Sequence, residues 1–161
     1  MKGLWIAARS LVYMAGFFGL WGWIALSVRR FDPVLGIALP EMLQLAGVAA
    51  MVVGGCLGLV CVGMFITLGR GTPAPFDPPT EFVARGPYKF VRNPMYISGF
   101  FLLLGLGLYE RSAAIVVFVF ALSILVHLGV VYLEEPGLEK RFGESYLKYK
   151  SAANRWLPKT R

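Results

Sequence analysis

The chain has 161 residues, 57% of them hydrophobic, and a mean hydropathy of +0.65, which is the length of one domain and too apolar for an ordinary soluble one. A net charge of +7 would suit nucleic acid if the basic residues covered a soluble face, but they flank apolar runs, the pattern of membrane topology and anionic headgroups. A single histidine excludes a zinc constellation, and Cys56 and Cys61, five apart in one apolar run, point in different directions on a helix, against a disulfide.

The first span is expected at Leu11 to Val28, preceded by Lys2 and Arg9 and followed by Arg29-Arg30; its long aromatic-rich core favours a retained helix over a signal peptide. Trp5, Trp21 and Trp23 suit the membrane interfaces. Phe31 to Glu41, with two prolines, reads as a short loop. The second span, Met42 to Leu68, exceeds the ~20 residues a bilayer needs, so it tilts or projects. Gly47, Ala50, Gly54 and Gly58 give it a small-residue face that admits another helix closely, either within the bundle or in a homodimer.

From Gly69 to Pro94 the composition changes: six prolines, four basic residues and two acids. Phe76, Phe82, Tyr88 and Phe90 make this a packed functional loop rather than a disordered one. Gly86-Pro87 supplies a tight turn, and Asn93-Pro94 is a helix start, with Asn93 as cap, whose free amides and positive dipole end suit an anion. The third span, Pro94 to Tyr109, covers about 24 Å. Glu110-Arg111-Ser112 then turns tightly, with Ser112 capping a fourth span from Ala113 to Leu133, so these two spans form an antiparallel hairpin. After Glu134-Glu135-Pro136 the tail reads as one surface helix, with Leu138, Phe142, Tyr146 and Tyr149 at helical spacing.

The expected fold is therefore an all-α integral membrane bundle of about four spans, a single domain ending in a cytoplasmic interfacial helix. Four spans put both termini and the proline-rich loop on one side. That side carries thirteen Lys and Arg against three opposite, which orients it to the cytoplasm of a plasma, inner or endomembrane.

Two features carry chemistry. His127 lies within the fourth span and Glu134 seven residues on, about 20° away on an ideal helix, so a stripe of ionisable groups leads out of the membrane. It reads either as structural or as a lining that handles protons. Glu134 and Glu135, at a helix end that disfavours negative charge, call for a cation: Arg85, Lys89 or Arg92, or else a bound ammonium or sulfonium. Gly69-x-Gly71 alone marks a helix C-cap.

Taken together, Gly69-x-Gly71, TPAPFDPP, GPYKFVRNPMY, the hairpin closing on Glu134-Glu135-Pro136 and FGESYLKYKSAANRWLP resemble the integral-membrane methyltransferase superfamily, which includes isoprenylcysteine carboxyl methyltransferases and phospholipid N-methyltransferases. The resemblance covers residues from about 65 to 158. It implies S-adenosylmethionine as cofactor, with Gly69, Gly71, Glu134 and Glu135 at the cofactor motifs and Gly86, Tyr88, Arg92, Asn93, Pro94 and Tyr96 in the cradling turn. Asn93 stands where carboxyl methyltransferases usually have His, and NPMY and EEP are similar to the phospholipid enzymes, whereas the tail is similar to the isoprenylcysteine group. The implied partner is a lipid or lipid-like acceptor, a phospholipid amine or an isoprenylcysteine-type carboxylate. An amine must also lose a proton, for which Glu135, Tyr146 or His127 would serve, and Arg155 would position an anionic acceptor group. A membrane reductase using NADPH and a non-enzymatic helix-packing subunit are the competing readings.

Overall fold

The structure, a computed structural model, describes residues 2–69 and 83–159, with side chains from residue 5 onward. Helix α1 (Lys2–Val28) passes through a 3₁₀ turn, Arg29–Phe31, into the short α2 (Asp32–Leu35). The helical chain thus runs beyond the expected span end and takes part of the expected loop. Pro33 does not stop it because it stands in the first turn of α2, where its missing N–H breaks no bond. Gly36, at φ +62°, ends it. Then follow α3 (Leu43–Thr67), a 3₁₀ turn at Gly86–Lys89, α4 (Pro94–Tyr109) and α5 (Ala113–Gly129).

Three helical stretches, Trp5–Leu35, Leu43–Thr67 and Ala113–Phe142, are long and apolar enough to cross a membrane, and α4 is a shorter apolar helix beside them. Among the described residues there is no strand, and the molecule is an all-α integral membrane bundle. The side chains of Leu45, Leu59, Phe120 and Leu125, more than half exposed, are the surface a bilayer covers.

The tightest packing joins α3 to α4, and glycine is its cause. A Cβ at Gly47 would stand 2.6 Å from the Gly105 oxygen; one at Gly54 would meet the Ser98 carbonyl at 2.8 Å and one at Gly58 the Ser98 hydroxyl at 2.7 Å. Ser98, fully buried, donates its hydroxyl to the Gly54 carbonyl at 2.9 Å. The small-residue face is thus occupied within the bundle by α4, so a homodimer through that same face has no room. Elsewhere Ala25, Leu103, Ile115 and Val119 form a core joining α1, α4 and α5. Cys56 and Cys61 are both free.

The hairpin between α4 and α5 is closed by polar groups. Ser112 accepts from the Ile115 amide at 3.1 Å, the expected cap, and Asp32 of α2 accepts from the Ala114 amide at 2.8 Å. Arg29 pairs with Glu110 at 2.6 Å, and Arg111 Nε donates to the Leu39 carbonyl.

The helix does not end at Glu134-Glu135-Pro136. It continues through a π turn, Val130–Glu134, into α6 (Glu135–Phe142). Pro136 has no N–H and crowds the preceding turn; widening that turn, with the Glu135 amide donating to the Val130 carbonyl, carries the chain past it. The acid pair is therefore inside a continuous helix and not at a C-terminus. The tail is two helices instead of one, because Gly143 at φ +53° separates α6 from α7 (Glu144–Ala152).

Candidate functional site

The site forms where the start of α4, the α5–α6 junction and the tail meet. Arg92 precedes α4, and its Nη2 stands 3.0 Å from Glu135 Oε1. Arg155, from the segment after α7, grips the same carboxylate through Nε at 2.7 Å and Nη2 at 3.0 Å, and Lys150 Nζ stands 3.6 Å from its Oε2. Glu135 is 3% exposed, so a buried carboxylate is enclosed by three cations. Such enclosure is what makes a buried charge tenable, since desolvation alone would expel it. The Glu135 hydrogen bond in turn stabilises the Arg155 guanidinium and raises its pKa.

Arg92 was among the cations expected opposite the acids; Arg155 was expected to face an acceptor and instead reaches Glu135, and Lys150 was not anticipated. The missed signal is Lys150 four residues past Tyr146 on a helix that only tertiary packing brings back to the acids. Arg92 has more to offer than it uses. Its side chain is 8% exposed, and its Nε and Nη1 are buried without a hydrogen-bond partner among the described residues. Buried guanidinium donors without acceptors are costly, and an anionic acceptor would satisfy them.

The two acids diverge. Glu134 is exposed and accepts from the Tyr96 hydroxyl at 2.9 Å. Tyr96 packs edge-on against Trp156, which also lies against Phe100 and His127. Trp156 Nε1 donates to His127 Nδ1 at 2.9 Å. The His127–Glu134 stripe is interrupted by the π turn, and Trp156 of the tail and Tyr96 of α4 link the two groups instead.

Asn93 begins α4 without capping it through its side chain. With φ −123° and ψ 50°, its amide points to the tail, donating to the Arg155 carbonyl at 3.3 Å, while Pro94 takes the first helical position as expected. The Arg92 amide donates to the Asn154 carbonyl at 2.8 Å, a parallel bridge pairs Val91 with Asn154, and the Tyr149 hydroxyl donates to the Tyr88 carbonyl at 2.6 Å. The tail is thus laid across the turn before α4.

Tyr88 itself is buried with Cys61 and Val83, its ring edge-on to Phe65, and burial raises the pKa of its hydroxyl. Phe90 is exposed. Gly86, at φ +54°, lets the turn approach α3: a Cβ there would meet Met64 Sδ at 2.6 Å. Tyr146 is 2% exposed, and burial, then the Glu135 charge, pushes its hydroxyl up to about 12, so it remains protonated at neutral pH. Gly69 is buried just beyond α3, its amide donating to the Met64 carbonyl. Gly71 lies outside the described residues, as do Arg70, Phe76 and Phe82. Among the described residues no cluster of His, Cys, Asp and Glu could hold a metal.

In comparison with known proteins, the family model described as phospholipid methyltransferase matches residues 33–145, more than half of the chain. No curated protein and no solved structure matches it.

Proposed function

The chain belongs to the phospholipid methyltransferase family, and on that premise we propose that it transfers a methyl group from S-adenosylmethionine to the amine headgroup of a phospholipid that enters sideways from the bilayer. The observation that carries this reading is the buried Arg92, held by Glu135 yet left with two donors unpartnered among the described residues, beside an exposed carboxylate at the open end of the hairpin. Arg92 suits the carboxylate of the cofactor's amino-acid end. Gly69, Gly71 and the Gly86 turn would line the cofactor from the loop side.

S-adenosylmethionine supplies an electrophilic methyl on a sulfonium and departs as the neutral thioether. As the nitrogen–carbon bond forms and the carbon–sulfur bond breaks, the amine sheds one proton. Glu135 is a poor destination, because two guanidiniums stabilise its charged form. Tyr146 is poor too, being buried and protonated. Glu134, exposed and holding one hydrogen bond from Tyr96, is the better base, and Tyr96 steadies it in that role. Beyond that the protein aligns the reactants and excludes water, for which the strapped tail is suited. The positive-inside pattern supports a cytoplasmic site, where the soluble cofactor is available.

The test is equilibrium binding of labelled S-adenosylmethionine to the purified full chain, with NADPH in parallel, followed by mass spectrometry of lipids from cells with and without the protein. Cofactor binding and a phospholipid class gaining one CH₂ per transfer are expected. Affinity for NADPH alone, or unchanged lipids, would overturn the proposal.

A further inference from the structure

Trp156 and His127 come from opposite sides of the α6–α7 tail, yet the indole N–H donates to His127 Nδ1 at 2.9 Å. An indole nitrogen can only donate, so the Nδ1 that receives it carries a lone pair, and a neutral imidazole of that kind has its hydrogen on Nε2. The surroundings hold this arrangement. The Trp156 ring lies 6.4 Å from Tyr96, 6.1 Å from Phe100 and 6.1 Å from His127, centroid to centroid, while the adjoining Arg155 is fastened to Glu135.

Among the described residues Trp156 is the one hydrogen-bond partner of the His127 imidazole. His127 is only partly buried, and Ile124 and Leu128 beside it on α5 are exposed apolar surface, which in a bilayer faces lipid. An N–H without an acceptor in such a setting is costly, and an oxygen arriving with an amphiphile would satisfy it.

We propose that Trp156 is a positioning residue that fixes His127 as the Nε2–H tautomer, and that this N–H donates to a phosphate oxygen of the phospholipid acceptor. The proposal rests on the methyl-transfer reading above for the identity of the acceptor. It reverses the role expected from sequence: with Nδ1 engaged and Nε2 protonated, His127 has no lone pair with which to take a proton. It holds the headgroup while Glu134 receives the proton.

The chain has one histidine, so ring-¹⁵N-histidine labelling of the full protein in maltoside micelles reports a single imidazole. The Nε2–H tautomer is expected at neutral pH; an Nδ1–H tautomer or an imidazolium would overturn the proposal. Trp156→Phe keeps a ring and removes the N–H, so a mixture of tautomers is expected, and an unchanged spectrum counts against Trp156. Adding phosphatidylethanolamine should shift the Nε2 resonance. No shift, or an equal shift with inorganic phosphate, removes the lipid from the assignment.

Methyl transfer to phosphatidylethanolamine vesicles gives a second measure. His127→Gln retains an outward amide donor and should stay within about tenfold of wild type, while His127→Ala loses about ten- to a hundredfold, mainly through KM. Equal losses in both would favour a base. A lipid-dependent shift without methyl transfer sinks the activity and leaves this inference standing; methyl transfer without the shift does the reverse.

Discussion

The two ends of the α4–α5 hairpin are built from the same kinds of groups to opposite effect. At the turn, Arg29 meets Glu110, Ser112 and Asp32 cap successive amides of α5, and Arg111 reaches a backbone carbonyl, so donors and acceptors are matched. At the other end, Arg92 and Arg155 crowd one buried carboxylate while two buried Arg92 donors find no partner among the described residues and Glu134 keeps an exposed carboxylate. A fold gains nothing from unsatisfied buried donors, whose desolvation costs more than a neutral hydrogen bond returns. The contrast teaches that one end is finished structure, while the other keeps the groups that the proposed function assigns to the cofactor.

Substitutions can break or sharpen that contrast. The largest expected effect is Glu135→Ala, which leaves Arg92, Arg155 and Lys150 facing one another. It should cost about 3–5 kcal/mol of stability, read by thermal or denaturant unfolding in detergent. A cost below about 1 kcal/mol would mean that the cluster is solvated and the burial argument fails. Arg92→Ala removes the donors assigned to the cofactor and should weaken S-adenosylmethionine binding by about 1.5–3 kcal/mol, roughly ten- to more than a hundredfold, as isothermal titration would register.

Gly47→Val presses a side chain into the α4 backbone and should cost about 1–3 kcal/mol, a loss of helix packing readable by unfolding in the same detergent. Retained stability would argue that α3 and α4 are not so closely apposed. The smallest effect is expected at the finished end: Ser112→Ala loses one cap, about 0.5–2 kcal/mol, and leaves cofactor affinity as in wild type. A change in affinity there would show that the two ends are coupled.

Much of this was legible in the residues. The glycine face of α3, the hairpin with its Ser112 cap and the need of the acids for a cation, met at Glu135 by Arg92 out of the candidates Arg85, Lys89 and Arg92, follow from spacing, turn chemistry and charge. Three things were not. Pro136 reads as a stop, because a helical wheel has no provision for a π turn that absorbs a proline. Asn93 before Pro94 reads as a cap, because the competing acceptor, the Arg155 carbonyl, is 62 positions away. Lys150, Arg155 and Trp156 reach the site by tertiary contact, and no local period announces that the tail returns to the turn before α4.

The widened turn at Val130–Glu134 separates two registers on one continuous rod. Upstream, the seam of α5 answers to lipid and neighbouring helices; downstream, the azimuth of Glu135 answers to Arg92. Removing one residue from this stretch would rotate everything beyond it by about 100° and swing the carboxylate off its guanidiniums, with the apolar length barely altered. Divergence here should therefore be free in side-chain identity and strict in residue number, and indels should be purged where apolar exchanges persist.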